Sequence, residues 1–441
     1  MQQKLTTGRV GIQLTKLTLP MVWGVFAIVA FNLADTYFVS QLGTNQLAAM
    51  SFTFPVVMVL GSIALGLGVG ASSVIARAIG EGDRHHVKVL TTNSLTLALA
   101  VVGIFVAIGL VTIDPLFTAL GANETILPLV RQYMTVWYWG MIFLVIPMVG
   151  NSAIRAAGNT LIPSLIMTVA SVVNIALDPI FIFGFGVVPA LGLQGAALAT
   201  VISRATTLAA SLWVLHYSEK MILWRIPIAQ TWGCWKKVLH VGLPAAGTNA
   251  VNPISIGFIT SLIAAYGAET VAGFGIASRI ESFAIIALMA LSASISPFVG
   301  QNWGAQKYAR VKEALRLSFI FCLLWGIFIA IFLGLAAPQL AAIFDRTPEV
   351  IATASLYLRL VPISYAAYGV ILVSSSTFNA LGKPFPAVVM TVARMIVIYV
   401  PLAYVGSSLF GVIGIFGAAC LANLAVGIGA YIWNQQTCDR A

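Results

Sequence analysis

Two aspartates, Asp35 and Asp178, lie inside long apolar stretches of a chain in which 8% of residues are charged and 60% are hydrophobic. An ionisable group at mid-membrane depth costs at least ~2.5–3.5 kcal/mol on insertion scales, and such groups usually mark an ion pathway, a substrate site or a proton relay. Two carboxylates held close together out of water cannot both ionise cheaply. If the pair meets in the fold, we expect it to share one proton.

Asp178 ends a polar face on an otherwise apolar helix. Met167, Ser171, Asn174 and Asp178 follow one another at steps of four, three and four, which places them on one side of an α-helix. Pro179 comes directly after the acid, removes an amide donor and frees a carbonyl of the preceding turn. That carbonyl can take part in binding a cation or a proton.

Asp35 has a comparable setting in the first apolar stretch. Phe31 and Asn32 precede it by four and three residues, and Pro20 lies about four turns earlier. A proline at that position permits a helix to bend. Our hypothesis is that protonation changes the hydrogen bonding of Asp35 and lets the first helix bend at Pro20, which shrinks the substrate site and displaces a cation bound by the same acids.

Three further residues are candidates for lining the same cavity. Ala196 and Thr200 lie four apart on the sixth apolar stretch, which suits close packing plus a polar contact, and Asn151 is a lone amide near the inner end of the fourth. A simpler interpretation is that the buried aspartates only staple helices together through Asn or Thr. For Asn151, Ser171 and Thr200, a purely structural role is as plausible as a functional one.

These residues need a membrane bundle to position them. Soluble domains carry roughly 25% charged residues, whereas this chain of 441 residues has a mean hydropathy of +0.98. Apolar stretches of about 20 residues, each able to cross a ~30 Å hydrocarbon core as a helix, recur twelve times. The predicted spans are 14–42, 47–76, 90–113, 127–150, 162–186, 191–217, 240–266, 271–300, 314–337, 350–376, 386–406 and 410–434.

The net charge of +10 follows the loops instead of forming one basic patch. With the N-terminus inside, cytoplasmic segments hold 17 of the 23 cations, whereas the outer segments hold only Arg131, Arg346 and Arg359. This bias predicts that both termini are cytoplasmic and removes the need for a nucleic-acid partner. The four cysteines lack metal-type spacing, and the polar N-terminal segment lacks a small-residue cleavage site, so we expect neither a disulfide framework nor a signal peptide.

The chain repeats itself at an offset near 224 residues. Pro20 matches Pro244, and Gly158 matches Gly382. Six helices per copy keep both copies in the same orientation, so the predicted fold class is an all-α integral membrane protein. Its twelve transmembrane helices form two six-helix lobes related by a pseudo-two-fold axis along the membrane normal. The predicted domains are an N-terminal lobe, a cytoplasmic linker and a C-terminal lobe, at residues 1–217, 218–239 and 240–441.

The two copies differ in their charges. Asp35 aligns with Ile259, and Asp178 with Pro401, so the acidic pair belongs to the first lobe alone. In the second lobe, Glu281 follows Arg279 by two residues, a spacing that does not put them on one helix face. Glu281 is a secondary candidate, either for an ion pair with a residue such as Arg394 or for a substrate or proton role. Arg204 is assigned to packing or to the membrane interface.

The ordered set of motifs resembles the multidrug and toxic compound extrusion (MATE) transporters, in their prokaryotic DNA-damage-inducible-F-like branch. The resemblance extends over all twelve spans. The segments that carry it are ADTYFVSQLG at 34–43, AAGNT at 156–160, NIALDPIFIFG at 174–184, ALGLQGAALAT at 190–200 and GQNWGA at 300–305.

The resemblance implies an antiporter that exports organic, often cationic, compounds by alternating access, driven by an inward proton or sodium gradient. In that branch, Asp35, Asn174 and Asp178 would line the first-lobe cavity, Thr200 would supply the hydroxyl of the sixth span, and Pro20 would be the hinge. Phe31 replaces a tyrosine that some relatives carry. The second-lobe acids of the sodium-coupled branch are absent from 240–266 and 350–376, which favours protons.

The expected partners are lipophilic or cationic drugs and the lipid bilayer, and the protein is expected to be a monomer. It should reside in a bacterial or archaeal cytoplasmic (inner) membrane. No organic cofactor or tightly held metal is expected: H⁺ is the coupling ion, with Na⁺ at Asp35, Asn174, Asp178 and Thr200 as the alternative.

Three other function classes compete with this interpretation. A flippase of lipid-linked oligosaccharides would need cationic residues in the cavity, whereas the deep charges of the first lobe are acidic. An intramembrane enzyme would need a nucleophile and a base at depth, yet the four histidines lie at span ends or in loops and no GxSxG pattern is present. A channel or a receptor fits the internal repeat less well than alternating access does.

Overall fold

The structure is a computed structural model that describes residues 5–186, 188–224 and 228–439. Lys4, Arg225 and Arg440, which enter the charge argument, lie outside the described residues, as does part of the predicted linker. The first-half helices are α1 Val10–Ser40, α2 Thr44–Glu81, α3 Arg84–Ala119, α4 Leu127–Trp139, α5 Ile142–Ala156, α6 Leu161–Phe183 and α7 Leu193–Trp213. The second-half helices are α8 Ile228–Ala264, α9 Ala268–Ala284, α10 Ile286–Gly304, α11 Tyr308–Phe344, α12 Pro348–Leu360, α13 Tyr365–Ala380, α14 Phe385–Val392, α15 Val400–Phe410 and α16 Val412–Asp439.

Short segments of other helical types join some of these helices. A π-helical segment, Val214–Ser218, extends α7, and another, Ala393–Tyr399, joins α14 to α15. A 3₁₀ segment, Val361–Ser364, joins α12 to α13. Among the described residues, β pairing is limited to one bridge, between Phe185 and Val188.

The helices account for the twelve predicted spans. Within the described residues, nine helical segments are long and apolar enough to cross a membrane, and two helix pairs, α4 with α5 and α9 with α10, qualify together although each is bent, by 43° and 45°. Helix α8, with 37 residues, corresponds to the remaining span. Its N-terminal part is polar because it begins in the lysine-containing linker.

The chain packs into two compact units, each with its own apolar core. The first unit contains 23–246 and the second contains 5–22 and 247–439. The divisions fall after Val22 in α1 and after Ala246 in α8, 224 residues apart, so the two copies of the repeat divide at equivalent points. The predicted lobe boundaries at residues 217 and 240 rest on the sequence repeat and not on these division points, so they stay a prediction.

Hydrogen bonds hold the segments that precede α1 and α3. The backbone N–H of Leu5 donates to Gln301 Oε1 at 3.3 Å, and Arg310 donates to the carbonyl of Gly8 at 2.7 Å, which ties the residues before α1 to the second unit. In the first unit, the backbone N–H of His86 donates to the Asp83 carboxylate at 3.0 Å. That bond caps α3 and lowers the pKa of the exposed Asp83 carboxyl.

Candidate functional site

Helix α6 places its predicted polar face inside the first unit. Ser171, Asn174 and Asp178 are buried, the last two completely, whereas Met167 is half-buried. Val169 and Val172, on other faces of the same helix, are more than half exposed, as expected for side chains that face lipid. The spacing of four, three and four therefore predicted the buried face correctly.

Asn174 connects Asp178 to the neighbouring helix. With its amide in the orientation that satisfies both neighbours, its Nδ2 donates to Asp178 Oδ2 at 3.0 Å and its Oδ1 accepts from the backbone N–H of Thr200 at 3.3 Å. The Thr200 side chain is itself buried. These two bonds join α6 to α7.

A glycine allows this connection. A Cβ atom at Gly195 would overlap the carbonyl group of Phe181, so α7 approaches the backbone of α6 at that point more closely than any other residue would permit. Ala196, the next residue, is also completely buried. Small residues at the start of α7 thus bring the two helices together one turn before Thr200.

Asp35 is half-buried on α1, and its Oδ1 is inaccessible to solvent without a hydrogen-bond partner in the described part of the chain. The carboxylate interacts electrostatically with Asp178 and with Arg204 of α7. The two acids therefore lie within electrostatic range of each other, and their sharing of one proton stays a prediction. A buried carboxylate oxygen without a donor is costly, because nothing replaces its lost hydration.

Arg204 and Tyr133 lie within electrostatic range of the acids, and sequence reasoning did not assign either to the site. Arg204 is close enough to Asp35 and Tyr133 to interact with both, and one of its terminal nitrogens is buried without an acceptor among the described residues. Tyr133 of α4 is buried and interacts electrostatically with both aspartates. In the sequence, Arg204 stands out as a charge within a predicted span. Tyr133 does not stand out, because it lies among other aromatic residues of α4.

The other predicted cavity residues surround this group less directly. Phe31 is half-buried and Asn32 is exposed on α1, while the Ser171 hydroxyl donates to the Met167 carbonyl of its own helix at 2.9 Å. Asn151 is buried on α5, with its Oδ1 lacking a partner among the described residues. The role of these residues in binding a substrate stays a prediction.

The predicted hinge lies beside a close contact. Pro20 is inside α1, which continues as one helix, and Gly24 follows one turn later. A Cβ atom at Gly24 would lie 3.1 Å from Cα of Ser164 on α6. The part of α1 that follows Pro20 therefore packs tightly against the helix that carries Asp178, and the role of Pro20 as a hinge stays a prediction.

In the second unit, Glu281 forms no ion pair within 4.0 Å among the described residues. Its Oε2 accepts a hydrogen bond from the buried Tyr357 hydroxyl at 2.6 Å. The expected ion pair is thus replaced by a neutral donor, and Arg394 interacts with Glu281 only at longer range. Tyr357 lies in an amphipathic stretch, where a tyrosine gives no specific signal for such a bond.

Comparisons with known proteins agree with this architecture. The MatE family model matches residues 20–180 and 244–405. The chain is 39% identical to the FAD transporter of Shewanella oneidensis over 99% of this chain and 96% of that protein. It is 26% identical to the probable multidrug resistance protein NorM of Thermotoga maritima, over 92% and 87%.

Solved structures of the family match the fold. The crystal structure of the Vibrio cholerae MATE transporter VcmN in its bent form superposes with a TM-score of 0.92, at 32% identity, and the match covers 98% of this chain and 97% of that one. Such structures have twelve helices in two lobes, which confirms the predicted fold class. The chain belongs to the MatE family of multi-pass membrane transporters, the MATE proteins.

Proposed function

We propose that this transporter is a proton-coupled antiporter, and that Asp35 and Asp178 form its coupling site. The observation that carries the proposal is the buried Asp35 oxygen without a hydrogen-bond donor, in electrostatic range of Asp178 and Arg204. Such an oxygen is an unoccupied acceptor in a medium of low dielectric constant. A proton added there satisfies the oxygen and removes one of two like charges.

Arg204 sets the number of protons that the site takes up. One guanidinium offsets one carboxylate, so the group is electrically neutral when the two acids hold a single proton between them. Loss of that proton leaves a net negative charge in the first unit, and gain of a second leaves a net positive charge. Both changes are costly at membrane depth, so the site is suited to exchange one proton for each change of state.

Proton exchange can be communicated to the helices through two contacts. Asn174 bonds both to Asp178 and to the backbone of Thr200, so a change at the acid alters the α6–α7 connection. Asp35 lies on α1, whose Pro20 is the predicted hinge. We infer that protonation of Asp35 favours bending of α1 and contraction of the first-lobe cavity, which would expel the cargo.

Sodium is the alternative coupling ion. A hard cation would use carboxylate, amide and hydroxyl oxygens of Asp35, Asp178, Asn174 and Thr200. Asn174 already donates to Asp178 and accepts from the backbone N–H of Thr200, so sodium would have to share or displace the oxygens that make these bonds. A proton needs no such rearrangement, and we therefore favour it.

Two cargo classes are supported by different observations. Organic cations suit a cavity with two acids, and the Thermotoga maritima relative is named a multidrug resistance protein. Flavin adenine dinucleotide is the second candidate, because the relative that is 39% identical over nearly the whole chain is named a FAD transporter. The two cargo classes differ in charge, so a protein that exports both need not bind both in the same lobe.

The experiment is transport by purified protein in liposomes with an imposed pH gradient, with and without sodium. A pH gradient alone should drive uptake of a cationic dye or of flavin adenine dinucleotide, and Asp35→Asn or Asp178→Asn should abolish the dependence on pH. Asp114→Asn is a matched control, because Asp114 is exposed and pairs with Arg131. Transport that requires sodium, or that keeps its pH dependence in both site variants, would overturn the proposal.

The membrane orientation is also a proposal. The excess of Lys and Arg in the segments counted as cytoplasmic supports a cytoplasmic membrane location with both termini inside. A cysteine or reporter fused at either end should be accessible only from the cytoplasmic side. A periplasmic signal from either end would overturn it.

A further inference from the structure

The second unit contains a cation that no carboxylate contacts. Arg394 lies in the π-helical segment Ala393–Tyr399 and is half-buried. Its terminal nitrogens donate to Asn252 Oδ1 at 2.8 Å and to Asn423 Oδ1 at 3.2 Å. Among the described residues, no Asp or Glu comes within 4.0 Å of it.

The guanidinium is underused as a donor. Five N–H groups are available in arginine, and two bonds to amide oxygens are made, while Nε is buried without a partner in the described part of the chain. Glu281 interacts with Arg394 electrostatically, but its carboxylate already accepts the Tyr357 hydroxyl. A cation at membrane depth with only neutral ligands is costly, so an additional anionic group would be stabilised there.

The surroundings hold Arg394 in a fixed orientation. Asn423 donates from its own Nδ2 to Ser364 Oγ at 2.9 Å, so its Oδ1 is turned toward the guanidinium. The Tyr368 ring lies under the guanidinium, with 4.9 Å between Arg394 Cζ and the ring centroid. A planar cation held by its edges and supported on one face is pre-organised for a phosphate or carboxylate, which accepts two parallel N–H bonds.

We propose that Arg394, Asn252, Asn423 and Tyr368 form an anion subsite in the second lobe, which binds the phosphate or carboxylate group of an exported compound, such as the flavin adenine dinucleotide considered above as cargo. This rests on the proposed export function and deepens it, because it assigns proton coupling to one lobe and recognition of cargo charge to the other. It also explains how a transporter with an acidic first lobe accepts an anionic cargo.

The test compares two probes with the same planar ring, flavin mononucleotide, which carries a phosphate, and riboflavin, which does not. Binding to full-length protein in phosphatidylcholine liposomes is measured by quenching of flavin fluorescence. The parent should bind the phosphorylated probe more tightly. Arg394→Gln should weaken its binding about 10- to 100-fold, the loss of a charge-assisted bond, and change riboflavin binding less than about threefold.

Further variants separate a specific role from a loss of fold. Arg394→Lys keeps the charge but not the planar fork, so its affinity for flavin mononucleotide should lie between those of the parent and Arg394→Gln. Arg359→Gln is the matched control, since Arg359 is exposed on α12 and is outside the subsite. Equal weakening of both probes in Arg394→Gln, or no weakening of either, would overturn the subsite.

Two more outcomes are decisive. Phosphatidylglycerol added to the liposomes should not compete with flavin mononucleotide; competition that disappears in Arg394→Gln would assign the site to a lipid headgroup and overturn the assignment to cargo.

The binding test is also independent of proton coupling. Binding of flavin mononucleotide that depends on Arg394, in a protein that shows no transport driven by a pH gradient, would support the subsite and refute the proposed function.

Discussion

Replacing Gly195 with alanine tests whether the contact between α6 and α7 holds the polar site together. The added Cβ atom would overlap the carbonyl group of Phe181 and the following amide of Ile182, which are backbone atoms and cannot rotate away. Overpacking of this kind costs about 1–3 kcal/mol. Alanine favours a helix over glycine by about 0.5–1 kcal/mol, so the net destabilisation should be about 1–2 kcal/mol.

The change should also affect the site. Helices forced apart at Gly195 would move Thr200, one turn later on α7, away from Asn174, and lengthen the 3.3 Å bond to its backbone. Purified protein in detergent should then lose its folded elution profile at a temperature about 2–8 °C below the parent, because about 2–4 °C correspond to each kcal/mol for a unit of this size. The rate of transport should fall by more than the fraction of protein that the lost stability leaves unfolded.

Gly103 on α3 provides the matched control. It lies in the same unit, is exposed, and a Cβ atom there would meet no atom within 4 Å. Gly103→Ala should therefore keep full transport and leave the transition temperature equal to or slightly above that of the parent. A Gly195→Ala variant as stable and as active as Gly103→Ala would refute the argument that close packing at Gly195 positions Thr200.

Three further changes test other parts of the structure. Tyr357→Phe removes the donor to Glu281, which should destabilise the protein by about 1–3 kcal/mol, and the added change Glu281→Gln should recover part of that loss in a thermal unfolding assay. A double variant that is no more stable than Tyr357→Phe would contradict the idea that the Glu281 carboxylate depends on the Tyr357 hydroxyl. Arg131→Gln breaks an ion pair with Asp114 in which both side chains are about half exposed, so its effect on unfolding should stay below about 1 kcal/mol and vanish at high salt. Pro20→Ala should slow transport without weakening cargo binding, as measured by separate binding and uptake assays, since it removes the predicted hinge; unchanged uptake would argue against a bend there.

The polar face of α6 was predictable because a helix places residues at steps of three and four on one side. Ser171, Asn174 and Asp178 have that spacing, and all three are buried. The hydrogen bond from the backbone of Thr200 to Asn174 was not predictable in the same way. It depends on how closely two helices approach, and the sequence gives Gly195 without giving the atom that faces it.

The charges around Asp35 show a second limit. Arg204 was noticed as a cation within a span, but its spacing along one helix cannot reveal an acid on another, so it was assigned to packing or to the interface. Tyr133 is an ordinary residue in an aromatic stretch. Its electrostatic interaction with both aspartates depends on how α4 packs in the first unit, which has no sequence signature.

The internal repeat predicted more about symmetry than about chemistry. The offset of 224 residues also separates the points at which α1 and α8 divide between the two units. The charged groups do not follow the repeat, because Arg394 and Glu281 of the second lobe do not align with Asp35 or Asp178 of the first. The partners of Arg394, Asn252 and Asn423, lie on other helices, so its spacing along the chain does not reveal them.

The ratio of protons to cargo, measured in one liposome preparation, shows whether Asp35 and Asp178 couple transport to protons. Proton flux is measured with an internal pH-sensitive dye while cargo uptake is measured in the same sample, without sodium. In the parent, we expect a fixed number of protons to cross for each cargo molecule. In Asp35→Asn and Asp178→Asn, we expect either cargo movement without proton flux or no cargo movement. Stoichiometric proton flux that persists in both variants would contradict it.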